Sequence, residues 1–498
     1  MGASVNALSA KERRFNSRLW RPAGAECIKA GVQPRPGIGW GAFLALLIAG
    51  SRLALSAEYA VGPGRALIEI DQVPWESLAA GDTVSIHWRA EPYRSKWVIG
   101  VRGTEEKPVT VRGVPNGRGE LPVIEGRDAA TRAALNYWHE PRSVIKVGGA
   151  NVPADTTPAH IVIENLEVRG GRPPFHYRGR AGPGGYTEYA AGIFIEKGEN
   201  ITIRNCVLTD NANGLLVASQ ARDVLVERCW IHGNGVEGSV YAHNVYSSAA
   251  GMTFQFNRFG PLRAGCPGNN LKDRSAGLAV RCNWIEGGNQ QLDLVDAEDR
   301  ESLRLDARYH RALVFGNILI EPPSDGRDSI VHFGGDSGKA DWYRRGPLRF
   351  YHNTVVTFRP GNTTLFRLSS RPQVVDARNN LFAAVAGGRL TVLDGDGTIE
   401  LHANWLNEGW RNNLGRERGT VVLKGGLLTG EAAGFVNAAA RNFYLLPTAP
   451  VTGKARPLES GALPKAWLES EYQPHRERWD MGGAEWLDLG AFQLRTAR

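Results

Sequence analysis

Three short segments hold the side chains best suited to chemistry: Asn244-Val245-Tyr246, Asn270-Leu271-Lys272 and Gln291-Leu292-Asp293. Matching positions are separated by 26 and then 21 residues. Extended chain sends alternate side chains to opposite sides, so taking Val245, Leu271 and Leu292 as inward turns their neighbours outward. Two columns result, Asn244–Asn270–Gln291 and Tyr246–Lys272–Asp293, and Arg274 joins the second if its strand continues. A phenol, an ammonium, a guanidinium and a carboxylate then converge, which is the equipment of an acid–base site. In eliminative cleavage of a polyuronate, the proton on C5 becomes removable once the adjoining carboxylate is neutralised. Arg274 is expected to neutralise it through a paired hydrogen bond. Lys272 is expected to take the proton and Tyr246 to protonate the departing oxygen, or the two exchange roles. Arg274 would lower the Lys272 pKa, as a base needs, whereas Asp293 would raise it; Asp293 is therefore expected to orient Lys272. The amide column is expected to bind substrate, the competing reading being a ladder that satisfies backbone groups. Lys272 beside Asp293 also has a bland reading, a surface ion pair worth at most about 1 kcal/mol.

His243 is a further catalytic candidate. Alternation points it inward with Val245, so catalysis requires a bulge, and otherwise a hydrogen-bonded core histidine is expected. Asp293, Asp296, Glu298 and Asp299 make a local acidic run. Asp293 and Asp296 are the candidate ligands of Ca²⁺, the one cofactor considered. They are also the candidate acid and base of a glycoside hydrolase, the alternative to elimination. A non-catalytic polysaccharide-binding protein is the third reading. Residues 171–191 and 323–347 read as long inserts rich in aromatic and basic groups. The second supplies His332, Trp342 and Arg344 as candidate substrate-binding residues, with Asp336 and Lys339 nearby. Rings stack on sugar faces and arginines pair with acidic sugars.

What must position these groups is a repeated phrase. It runs Ile201-Thr-Ile-Arg-Asn205-Cys206-Val-Leu, then Val224-Leu-Val-Glu-Arg-Cys229-Trp-Ile, and returns at Asn257, Asn283, Asn317, Asn353, Asn380 and Asn404. A looser copy ends at Asn165. Alternating apolar residues repeated at this interval predict stacked short strands that bury a common core, an all-β parallel β-helix with irregular caps and long loops between rungs. With these repeats the chain resembles the right-handed parallel β-helix proteins of the pectate-lyase superfamily. Gly81-Asp-Thr-Val-Ser-Ile is similar to their first rung. Gly434-Phe-Val-Asn, Asn442-Phe-Tyr-Leu and Asp488-Leu-Gly-Ala-Phe492 are similar to their closing segments. The resemblance implies an exported, carbohydrate-active protein over residues 58–498, and it names no reaction, because one fold hosts many. The phrase Tyr241-Ala-His-Asn-Val-Tyr246, followed by Lys-x-Arg and an acidic rung, is similar to one in uncharacterised secreted β-helix proteins. The aspartate set of β-helix polygalacturonases and the Asp-Pro-His phrase of alginate epimerases are missing, which weighs against those two activities.

Residues 58–108 are expected to form an N-terminal cap and first rung, 109–404 the β-helix, and 405–498 the last rungs and closing segment. Residues 1–57 combine a basic stretch, an apolar run from Trp40 to Gly50 and small residues up to Ala57, the order of an export signal or a retained anchor. They hold +6 of the formal +8, leaving +2 for the remainder. Nucleic acid is therefore not indicated. The expected partner is an acidic polysaccharide, met by a monomer in the periplasm or outside the cell, without membrane contact unless the leader is retained. Cys206 and Cys229 should stack on consecutive rungs, as a disulfide or as an internal thiol ladder, and Cys266 with Cys282 is a second candidate disulfide.

Overall fold

The structure, a computed structural model, describes residues 56–494 except 299, 324, 325, 328, 416, 417 and 484. The leader assignment lies almost wholly outside the described residues. Each turn of the chain lays down three strands. In one turn these are Val245–Ser247, Ala250–Gln255 and Arg258–Phe259; in the next, Leu271–Asp273, Ala276–Arg281 and Trp284–Glu286. Each strand pairs in parallel with its counterpart one turn on: Tyr246 with Lys272, Thr253 with Ala279, Arg258 with Trp284. Three sheets therefore run the length of a parallel β-helix. On the first sheet Val245, Leu271, Leu292, Val331 and Phe366 are register partners and all are buried, so the assumed inward set is correct. Stacking such apolar columns removes roughly 1.5–3 kcal/mol worth of side-chain surface per large residue from water.

The repeated phrase marks the corner between the second and third sheets. One residue adopts a left-handed backbone there, such as Arg228, Phe256, Cys282, His352 or Asn379, and the next points inward. Asn257, Asn283, Asn317, Asn353, Asn380 and Asn404 form a continuous buried amide ladder at that inward position. Each side-chain amide also donates to a strand carbonyl, as Asn317 Nδ2 does to Val280 O at 2.9 Å. The early copy is shifted by one residue, because Asn165 is the left-handed residue and buried Leu166 follows it. Cys206 and Cys229 take the same inward position as free buried thiols, and Cys266 and Cys282 are free too, so neither disulfide considered is formed.

Strand pairing reaches into both terminal regions. Glu58–Val61 already pairs with Thr83–His87, which pairs with Val109–Val114. Strands Arg411–Asn413, Thr420–Leu423 and Leu428–Gly430 continue the ladder beyond residue 404. The remaining chain returns along the outside, packing Phe443, Tyr472, Trp486 and Phe492 on Phe256, Trp284, Phe315 and Tyr351. These contacts lie on the outer side of the corner between the second and third sheets. Among the described residues no helix is long and apolar enough to cross a membrane.

Candidate active site

On the first sheet one outward column reads Tyr246, Lys272, Asp293, His332, Arg367 and Asp394, each the register partner of the next. Lys272 Nζ lies 2.7 Å from Asp293 Oδ2 and 2.7 Å from Asp336 Oδ2. Arg274 does face this column. Its Nη1 and Nη2 span the Asp336 carboxylate at 2.9 and 3.0 Å, and its Nε donates to the Tyr246 hydroxyl at 2.8 Å. Asp293 Oδ2 also accepts from Asn269 Nδ2 at 2.7 Å, while Oδ1 faces His332 Nδ1 at 2.8 Å. His332 Nε2 in turn lies 2.8 Å from Ser369 Oγ. One polar network therefore crosses the turns from Tyr246 to Ser369.

Charge inside this network is tightly held. Burial alone would lower the Lys272 pKa, but Asp293 and Asp336 outweigh it and the net shift is upward. Burial likewise opposes ionisation of Asp293, yet Lys272 and His332 carry its carboxyl well below the usual range. For Asp336 the opposing cations are Arg274 and Lys272, and the net shift is again downward. Lys272 is thus a fixed ammonium, and the expected role of base does not fit it. Its surroundings suit a cation that binds an anion.

The sequence places Asp336 only within an insert. The insert is shorter than expected, because Ser329–Phe333, with His332, is a strand of the first sheet. Arg344 does not face a substrate: it is fully buried and donates to Val295 O at 2.7 Å and to Asp273 Oδ1 at 2.8 Å. That buried ion pair ties the loop carrying Asp336 to the helix corner. The Trp342 ring lies under the cations of Lys339 and Arg304, at 3.5 and 4.1 Å, which occupy it as a sugar platform. In the other insert, Tyr177 and Tyr186 are buried with the Lys96 ammonium 4.1 and 4.3 Å from their ring centres.

The amide column is also corrected. Asn244, Asn270 and Gln291 are fully buried. Asn244 Nδ2 donates to Asn270 Oδ1 at 2.9 Å, and Gln291 Nε2 to Glu321 Oε2 at 2.6 Å. The strands begin at Val245, Leu271 and Leu292, so the preceding residues belong to the corner, where alternation no longer applies. Asn244 and Asn270 form a buried amide pair and Gln291 bonds to Glu321, so none of the three is on the outer surface. His243 is buried without a bulge, and its Nδ1 accepts from Asn269 N at 2.9 Å. Burial, reinforced by the Lys272 charge, lowers its pKa to about 3. It is a neutral imidazole supporting the loop of Asn269 and stacked beside Tyr246, with ring centres 5.9 Å apart.

Asp296 is fully buried and its Oδ1 accepts from Asp336 N at 2.8 Å. Asp293 is taken up by Lys272, Asn269 and His332, and Asp296 Oδ2 is buried without a hydrogen-bond partner among the described residues. Among the described residues no group of three or more His, Cys, Asp or Glu side chains is arranged to hold a metal ion.

Residues 149–283 match the family model described as "right handed beta helix region". The fold is a right-handed parallel β-helix. Solved structures of similar course include the pectate lyase Pel9A, at 10% identity, covering 89% of this chain and 97% of that one with a TM-score of 0.47. An alginate lyase from Paenibacillus sp. str. FPU-7 is 12% identical, covers 70% of this chain and 93% of its own, and has a TM-score of 0.36. The GH136 lacto-N-biosidase from Eubacterium ramulus is 12% identical, covers 76% and 68%, and has a TM-score of 0.42. These likenesses do not bear on which reaction this chain performs. No curated protein matches it in sequence at a significant level.

Proposed function

We propose that this chain is an exported enzyme that cleaves a uronate-bearing polysaccharide by β-elimination, with Tyr246 as base and Lys272 and Arg274 as the cations that hold the uronate carboxylate. The observation that carries this reading is the Tyr246 hydroxyl, which accepts the Arg274 Nε–H at 2.8 Å on a column whose next residue is Lys272. Positive charge against a phenol oxygen favours the phenolate. The same two cations already grip a carboxylate, that of Asp336, in the two-point manner a uronate would use. A substrate carboxylate would share or take over that seat.

In the step so drawn, Tyr246 takes the C5 proton and the C5–H electron pair becomes the C4=C5 double bond. The C4–O bond breaks, and the proton passes from the phenol to the departing oxygen. Negative charge gathers on the carboxylate as C5 loses its proton, where buried, pre-placed cations have most effect. Export rests on the order of basic, apolar and small residues in the first 57. Tyr246→Phe is expected to slow formation of unsaturated products from alginate, pectate or a glycosaminoglycan by about 10²–10⁴-fold, with the fold intact. The assay is ultraviolet absorbance measured beside reducing ends. An unchanged rate in the variant removes Tyr246 from the mechanism. Reducing ends without absorbance in the parent protein point to hydrolysis, and glycan binding without either points to a binding module.

A further inference from the structure

Asp293 divides the network in two. Its Oδ2 serves Lys272 and Asn269, but its Oδ1 serves His332, which elimination as drawn above does not use. His332 is 2.8 Å from Asp293 through Nδ1 and 2.8 Å from Ser369 Oγ through Nε2. A carboxylate on one imidazole nitrogen and a hydroxyl on the other is the arrangement that turns a serine into a nucleophile. We propose that Ser369, His332 and Asp293 form a second catalytic centre, one that hydrolyses short-chain acyl esters.

The three residues come from consecutive turns of the first sheet. Asp293 and His332 are register partners, and Ser369 follows Leu368, the last residue of the next strand. His332 and Asp293 are buried, whereas Ser369 is half-buried. The Ser369 hydroxyl has one proton and two acceptors at 2.8 Å, His332 Nε2 and Gly335 O. The first orientation primes it for attack. The Gly335 N–H donates to the same hydroxyl oxygen at 3.3 Å, and so helps to hold the attacking atom in place. Only glycine fits there, since a Cβ would come within 2.0 Å of the Tyr343 ring.

Ser369 Oγ bonds to the acyl carbon and gives its proton to His332 Nε2. The ester C–O bond breaks, and the departing alkoxide takes that proton. Water then attacks the acyl-serine, His332 accepts the water's proton, and Ser369 recovers it as the acid leaves. That the alcohol is a sugar hydroxyl rests on the reading of the preceding subsection; the ester chemistry does not.

The test uses the full chain with 4-nitrophenyl acetate and with an O-acetylated polyuronate, following acetate release and ultraviolet absorbance in the same samples. Ser369→Ala is expected to hydrolyse both esters at least about 100-fold more slowly. In the unaltered protein a fluorophosphonate probe should label Ser369, located by peptide mass spectrometry, so the result does not depend on any variant folding. Ester hydrolysis that survives Ser369→Ala overturns the proposal, as does absence of both hydrolysis and labelling in the parent. Acetate release without absorbance upholds it while rejecting elimination, and the reverse pattern does the opposite.

Discussion

Replacing Lys272 with Ala tests whether the site is a network of charges that depend on one another. Asp293 and Asp336 each lie 2.7 Å from the same Nζ, so their oxygens are no further apart than those two contacts end to end. Without the ammonium, two carboxylates about 5 Å apart at an effective dielectric constant of about 20 repel by at most about 3 kcal/mol, since Arg274 still pairs with Asp336. Removing one partner from a buried ion pair typically costs about 3–5 kcal/mol, because the remaining charge stays buried. Lys272→Ala should therefore lower stability by about that amount at neutral pH. Adding Asp293→Asn to it removes the repulsion while Asn can still accept from His332. The same substitution should thus change sign: destabilising in the parent, where it strips Lys272 of a partner, and stabilising by up to about 3 kcal/mol in the Lys272→Ala background. Equilibrium urea unfolding of the four proteins, followed by tryptophan fluorescence, reads out the cycle. If Asp293→Asn costs the same in both backgrounds to within about 0.5 kcal/mol, the groups are independent. The network would then be a set of independent pairs.

Other expectations concern the framework. His243 has its pKa lowered by burial to about 3, so below about pH 6.5 the unfolded chain binds a proton that the folded chain refuses. Stability should therefore fall as pH drops from about 6.5 towards 3, by up to about 1.4 kcal/mol per pH unit for this group. His243→Asn, whose amide oxygen can replace Nδ1 as acceptor, should flatten the dependence by one proton, and a parallel pair of stability–pH curves would contradict this. Asn317→Ala leaves the Asn283 amides, the Val280 carbonyl and Asn353 Oδ1 without this partner in the core. The Asn283 backbone N–H loses its acceptor, whereas Asn283 Nδ2 keeps the Phe254 and Arg281 carbonyls and Asn353 Oδ1 keeps the Asn317 backbone N–H, so the loss should be about 1–3 kcal/mol in the same urea assay. A loss below 1 kcal/mol would mean that the ladder relaxes around the gap.

The two-residue period and the recurring Asn were enough to read the solenoid, its inward column Val245–Leu271–Leu292 and the outward column Tyr246–Lys272–Asp293, because strand alternation is local geometry. The same rule failed at Asn244, Asn270 and Gln291, one residue before each strand begins, where the chain is turning and every side chain points into the corner. Polar residue type was no help there, since an amide serves a buried ladder as readily as a sugar.

Function depended on what periodicity does not encode. Asp336 lies 64 residues from Lys272 in a loop, yet it sets the charge state of Lys272 and occupies the Arg274 fork. Its placement follows from Arg344, whose guanidinium is drawn into the helix corner by Asp273, the inward neighbour of Lys272. The Lys272-Asp273-Arg274 run thus performs two tasks on opposite sides of one strand: outward cations bind an anion, and an inward carboxylate anchors the loop that supplies it. Residue type alone makes Lys272 a candidate base, whereas two carboxylates at 2.7 Å hold it as an ammonium. Ser369 is silent in the sequence for the same reason. A lone serine after a strand carries no signal until the register places a histidine, itself oriented by Asp293, within 2.8 Å of its hydroxyl.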